Sequence, residues 1–211
     1  MFRVNGPVMQ KLTKLCYILY AHILAVACCI PVITAGAGFT ALEYVLLKIS
    51  REEEGAITKD FFHSFKENFK QGTVMGIVYF GVAFFLLYDF YFLRHQETGM
   101  NSVMMVATMA VALLLVLNMA WGFVLLSRYK NSAFQTMKYA FSFCIVHIGP
   151  TLVMLAVVLI PVILATISVN ILPYCIIFGP VISGYIRPKL YGRVFEQVET
   201  ANQENTEVES V

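Results

Sequence analysis

From Phe141 to Ile186 the chain runs 46 residues without a Lys, Arg, Asp or Glu. A membrane-spanning helix needs about 20 mainly apolar residues. This one run therefore holds two spans and a turn, with Ser168, Asn170 and Pro173 as the turn formers. Composition removes the alternative of a water-soluble core. Of the 211 residues, 59% are hydrophobic and 13% charged, against about 45–50% and about 25% in a soluble domain. Mean hydropathy is +0.73. A soluble domain of this length has too much surface for its volume to hide that much apolar material. The net charge of +2 selects no partner class, and nothing in it points to nucleic acid.

Leu15–Ile33, Gly72–Leu93 and Asn101–Leu126 also reach spanning length, and Thr34–Lys48 is apolar but shorter. The expected fold is all-α, a polytopic transmembrane bundle of six segments. With the N-terminus in the cytoplasm, 14 of the 15 basic residues fall on the cytoplasmic side and only Arg94 outside, which satisfies the positive-inside rule. Both termini are then cytoplasmic and the number of crossings is even. Four crossings is the alternative. Pro31, Gly36 and Gly38 lie in an uncharged stretch, so residues 15–48 either cross twice or form a re-entrant hairpin whose backbone protein or water must satisfy. Residues 1–195 read as one transmembrane domain. Residues 196–211 carry five Glu and no basic residue, an acidic cytoplasmic tail expected to be disordered.

The basic start and Ala25-Val26-Ala27 before Cys28 also have the outline of a signal peptide or lipoprotein box. The chain stays apolar for another twenty positions, however, where a lipoprotein has a polar tether. The five cysteines all lie in apolar stretches and are expected to pack as small hydrophobes.

Ser50–Gln71 is the largest cytoplasmic loop. Phe61, Phe62, Phe65 and Phe69 recur at helical spacing, while Lys59, Lys66, Glu67 and Lys70 lie elsewhere around the wheel, with Asn68 among them. The pattern predicts an amphipathic helix whose Phe face lies in the headgroup region or packs on the protein's own spans. Phe62, Phe65, Lys66 and Phe69 have counterparts at an offset of 72 in Phe134, Met137, Lys138 and Phe141. Each copy precedes an apolar hairpin, which suggests an internal duplication of the kind transporters carry.

Polar groups at membrane depth are costly, so each is a candidate for function. His22 and Glu43 stand on opposite arms of the first hairpin at depths that differ by roughly 5 Å at 1.5 Å per residue. A His–Glu hydrogen bond is feasible there, either locking the hairpin or forming a proton or ligand site, and Glu43 has the further option of snorkelling toward Lys48. Asn118 lies deep in its span and is expected to hydrogen-bond between helices. His147 lies six residues into a span, and Asp89 near the outer end of another, beside Arg94 and His95. Pro150, Pro161 and Pro180 are expected to kink or end helices. Gly72-xxx-Gly76 permits close helix contact.

Cys28-Cys-Ile-Pro-Val-Ile-Thr-Ala-Gly-Ala-Gly-Phe-Thr-Ala-Leu42, Phe61-Phe-His-Ser-Phe-Lys-Glu-Asn-Phe-Lys-Gln71 and Phe178-Gly-Pro180 resemble the signature of the YesL-like family of bacterial integral membrane proteins. The resemblance extends over roughly residues 1–195. It implies a small helical protein of the bacterial cell membrane, without an established activity, associated with carbohydrate uptake and glycan degradation. Sugar-transporter membrane subunits are the partners it implies. His22 stands where the family pattern has Asn, and Glu43 where it has an aromatic residue. The chain carries no phosphate-binding Gly loop, HExxH or nucleophile elbow. The expectation is a protein without cofactor or metal, not an enzyme but an accessory component. A small transporter or channel with an intramembrane polar site is the alternative.

Overall fold

The computed structural model describes residues 7–53, 55–95, 101–167 and 172–209. The expected turn residues Ser168 and Asn170 lie outside them. The described residues form helices α1 (Pro7–Cys29), α2 (Ala35–Ser50), α3 (Ile57–Glu67), α4 (Phe69–Arg94), α5 (Asn101–Arg128), α6 (Ala133–Val146), α7 (Ile148–Ile167) and α8 (Leu172–Glu209), with a 3-10 turn at Val32–Thr34. Among the described residues five helical stretches are long and apolar enough to cross a membrane: Met9–Cys29, Val32–Ser50, Phe69–Arg94, Ser102–Arg128 and Ile148–Thr166. The sixth apolar segment is the first part of α8, whose uncharged portion runs from Leu172 to Ile186 before Arg187.

Pro31 separates α1 from α2, because a proline disfavours helical backbone at the residue before it. The Thr34 hydroxyl lies within hydrogen-bond distance of the Cys28 and Pro31 carbonyls. Donating to Cys28 satisfies a carbonyl at the end of α1 that would otherwise be orphaned, while Pro31 also accepts from the Thr34 backbone N–H at 2.9 Å. The two arms are long: α1 has 23 residues and α2 has 16, or about 35 Å and 24 Å at 1.5 Å per residue. Both arms pass the length and composition test for a span, as a double crossing requires.

α2 is the central helix. Twelve of its 16 residues are buried, and α1, α3, α4, α5 and α8 all pack on it. Its first turns are Ala35, Gly36, Ala37, Gly38 and Ala41, all buried, and small residues let helix backbones approach closely in lipid. The closest approach is to Gly72 and Gly76 of α4: a Cβ on Gly36 would stand 2.0 Å from the Gly72 carbonyl oxygen. The Gly72-xxx-Gly76 pair is thus a helix-packing site, with Gly36 as its partner. The outer helices leave large apolar side chains such as Phe84, Leu87, Val103 and Val106 exposed. Such a surface suits lipid and not water.

Ion pairs gather at one end of the bundle. Lys14 meets Glu52 at 2.7 Å, Lys48 meets Asp60 at 3.1 Å, Lys130 meets Glu67 at 2.5 Å and Arg128 meets Glu199 at 3.0 Å. These contacts bring together the start of α1, the end of α2, α3, the end of α5 and the later part of α8. Lys14 and Lys130 hydrogen-bond Glu52 and Glu67 and hold both carboxyls below the usual range. A depressed carboxyl stabilises the fold above its unfolded pKa and loses that contribution as pH falls through the folded value. These exposed clamps therefore hold at neutral pH and loosen in acid.

The amphipathic helix forms, but it is shorter than its sequence pattern. α3 stops at Glu67, where Asn68 caps it and donates to the Ser64 carbonyl at 3.1 Å. Phe69 and Lys70 belong to the first turn of α4. Ile57, Phe61 and Ser64 are buried, and Phe65 packs against the same cluster of α1 and α2 residues, while Phe62 and Phe69 are exposed. Part of the Phe set thus packs on the protein's own spans and part faces outward. Phe61 is 0% exposed and Phe62 40%. Phe61→Ala is expected to cost about 3–5 kcal/mol, and Phe62→Ala less than about 0.5 kcal/mol. Thermal unfolding of the two variants in one detergent checks the contrast, and equal losses would refute this account of α3.

Three further expectations change. His147 is not inside a span: it ends α6 with φ −111° and ψ 51°, and α7 begins at Ile148. The unit of short helix, one-residue break and apolar hairpin therefore occurs twice, at Asn68 and at His147. Pro150, Pro161 and Pro180 end no helix. Pro150 sits in the first turn of α7, where a missing N–H costs nothing, and Pro161, Pro180 and Pro188 lie within helices that continue past them. The acidic tail is helical to Glu209 where disorder was expected. Its Glu, Gln and Ala residues are good helix formers. They extend a helix already anchored by buried Tyr191, Val194 and Phe195, and Glu199 pairs with Arg128.

Candidate functional site: a buried ion pair beside an apolar cavity

Glu43 lies on the central helix with 4% of its surface exposed. Its Oε1 meets Nη2 of Arg187 at 2.7 Å. The Tyr191 hydroxyl, one turn further along α8, donates to the backbone carbonyl of Glu43 at 3.3 Å. Taking two charges out of water is costly, and the cost is recovered only when the remaining polar atoms are also satisfied. Here one atom is not: Glu43 Oε2 is buried and has no hydrogen-bond partner among the described residues.

The ion pair forms part of the wall of a cavity of about 320 Å³ between α2, α5, α7 and α8. The other walls are apolar, with Phe39, Met119, Phe123 and Met154 among them. Phe39, Val116 and Val158 at its margin are exposed, so the cavity opens to the outside of the bundle. Chemically it offers an apolar volume with one carboxylate and one guanidinium, already paired with each other, in its wall. Among the described residues no group of three or more His, Cys, Asp and Glu is placed to hold a metal ion.

The expected His22–Glu43 hydrogen bond does not form. His22 Nδ1 bonds the Ile18 carbonyl at 2.8 Å, and Glu43 turns to Arg187 instead. His22 still feels the charges of both Glu43 and Arg187. Its ring is wedged against α8, where a Cβ on Gly184 would come within 2.9 Å of His22 Cε1. The three groups are neighbours, then, but the ion pair ties α2 to α8 and does not lock the α1–α2 hairpin. Glu43 is a buried partner and does not snorkel.

In the sequence Arg187 is one of the 14 basic residues on the cytoplasmic side, and nothing marks Tyr191. A signal for Arg187 did exist. An acidic residue deep in an apolar helix needs a counter-charge, and Arg187 is the first charged residue after the longest charge-free run.

The other polar candidates serve packing. Asn118 joins three helices, accepting from the Tyr79 hydroxyl at 2.5 Å and donating to the Met137 carbonyl at 3.0 Å. Asn118→Leu is expected to cost about 1–2 kcal/mol and Tyr79→Phe about 0.6 kcal/mol, measured as shifts of unfolding midpoint in detergent. An unshifted Asn118→Leu would refute the bridging role. His147 lies beside Trp121 with the rings tilted and their centroids 6.2 Å apart, and Trp121 donates to Thr151 Oγ1 at 2.8 Å. Asp89 accepts from Thr108 Oγ1 of α5 at 2.5 Å, linking two helices.

No curated protein and no solved structure matches the chain. Residues 15–90, from α1 through most of α4, match the family model described as a protein of unknown function, DUF624, a stretch that contains His22, Glu43 and the glycine contact but not Arg187.

Proposed function

We propose that this chain is a non-enzymatic accessory protein of the bacterial cell membrane, with both termini cytoplasmic, that assists carbohydrate uptake by docking on the membrane subunits of a sugar transporter. The observation that carries this reading is the outward face of α3. Phe62 and His63 stand exposed beside Lys66 at the charged end of the bundle, while Phe61 and Ser64 anchor the helix from the other side. An aromatic and basic face on a fixed helix suits binding to a protein partner, since aromatic residues are enriched in interface cores. The sugar-uptake context rests on the resemblance of the sequence motifs. The gathered ion pairs and the distribution of basic residues support cytoplasmic termini.

Pull-down of the tagged protein from native-like lipid particles tests this. Sugar-transporter membrane subunits should be recovered with the wild type and lost with Phe62→Ala/Lys66→Glu. Their absence from the wild type, with uptake unchanged on deletion of the gene, would overturn it.

A second reading is a small transporter or channel, favoured by the Glu43–Arg187 ion pair in the wall of the apolar cavity. Flux into proteoliposomes that falls on Glu43→Gln supports it. Equal leak from both, independent of solute, rejects it.

A further inference from the structure

A second cavity lies at the charged end of the bundle, between α1, the end of α2 and α8. It has a volume of about 340 Å³ and is lined by Lys11 and Lys14, by Ser50 and Glu52, and by Tyr185 and Lys189. Lys189 Nζ sits 3.9 Å from the centre of the Tyr185 ring, which holds the ammonium over the cleft. Lys11 and Lys14 from α1 are close enough to act electrostatically on the same tyrosine. Three ammonium groups thus converge from two helices. Glu52 answers only one of them, meeting Lys14 Nζ at 2.7 Å. Among the described residues neither Lys11 nor Lys189 has an ion-pair partner, and Lys14 keeps two of its three N–H donors. The cleft is several times larger than the ~30 Å³ share of one water and carries an excess of positive charge.

We propose that this cleft binds the phosphate group of an anionic phospholipid. Phosphate chemistry fits three converging N–H donors and a hydroxyl. The lipid source follows from what lies next to the cleft. Leu12, Leu15 and Leu19 on α1 and Ile182 on α8 are exposed apolar side chains flanking it, a path for acyl chains. The lysines themselves stand just before the first apolar span and just after the last apolar segment. Basic pockets between membrane helices on the cytoplasmic side are where anionic headgroups are recognised.

The test uses the full chain in nanodiscs of mixed phosphatidylglycerol and phosphatidylcholine, with retained lipid read by native mass spectrometry. The wild type should retain phosphatidylglycerol over phosphatidylcholine. Lys11→Gln/Lys189→Gln, which leaves the Lys14–Glu52 pair intact, should lower that preference roughly 10- to 30-fold, taking each lysine at about fivefold. Lys11→Arg/Lys189→Arg should keep it, and so should Lys59→Gln/Lys138→Gln, which removes equal charge from exposed positions on other helices. Equal loss in that control would assign the preference to diffuse charge and overturn the proposal. So would an unchanged preference in the Lys11/Lys189 Gln variant. A soluble anion is the remaining outcome. If inorganic phosphate raises the melting point in pure phosphatidylcholine nanodiscs and no phosphatidylglycerol preference exists, the lipid assignment fails. Should the neutral variant not yield monodisperse protein, the wild type decides, because equal retention of both lipids overturns the site.

Discussion

Gly36→Ala is expected to cost the bundle about 3 kcal/mol or more and to leave little monodisperse protein. One methyl group is enough because of what it meets. The new Cβ would lie 2.0 Å from the Gly72 oxygen, 2.9 Å from the Gly72 carbonyl carbon and 3.0 Å from Gly76 Cα. All three are backbone atoms, so no side chain can rotate away, and α2 must separate from α4 along its length. Overpacking a core costs about 1–3 kcal/mol even when side chains absorb it, and here they cannot. α2 is also the helix on which five others pack, so its displacement is felt throughout the bundle. Gly81→Ala is the matched control. It lies on the same α4, nothing stands within 4 Å of its Cβ position, and alanine in a helix is favoured over glycine by about 1 kcal/mol. Size-exclusion profiles and thermal midpoints in one detergent separate the two. A Gly36→Ala protein that melts with the wild type would show that the α2–α4 contact is looser than described.

The second large effect belongs to the buried ion pair. Arg187→Met is expected to destabilise the protein by about 3–5 kcal/mol, the usual cost of leaving one buried charge without its partner. The loss should be of this order because Glu43 already has one unsatisfied oxygen and would then have two. Glu43→Leu with Arg187→Met should recover most of the stability, since apolar residues of similar volume often replace a buried pair at no net cost. The order of midpoints, with the single Arg187→Met variant lowest, is the readout. A double variant as unstable as Arg187→Met alone would mean that the position is held by shape and not by charge. The same pair of variants bears on function. If the cavity beside Glu43 carries solute, the double variant restores the fold without restoring flux.

Some of this protein was written in one dimension. Apolar length, the absence of charge from 141 to 186 and the basic bias are sums over consecutive residues, and lipid acts on those sums directly by removing water from the backbone. That is why the helical bundle and its charged end follow from the sequence. The helical spacing that puts Ile57, Phe61, Ser64 and Phe65 on one inward face is local for the same reason, as helix geometry maps spacing onto a face.

Other features depend on which helices become neighbours, and no local property encodes that. Glu43 had a histidine at a suitable depth on the adjoining arm, yet its carboxylate bonds Arg187 on α8, because α8 docks against α2 and His22 already bonds its own helix at Ile18. Gly72-xxx-Gly76 is a visible spacing, but nothing in the uncharged stretch around Gly36 marks it as the partner that makes this a contact. The break at His147 and the helical tail reflect packing on α5 and the anchoring of α8 by Tyr191 and Phe195. The sequence by itself determined that this chain enters a membrane as apolar helices with its cations gathered at one end, since solvent transfer is a property of segments. Only the tertiary structure decided that α2 is the axis of the bundle and that its one acidic residue is answered from the far end of the chain, because pairing depends on the distances that packing creates.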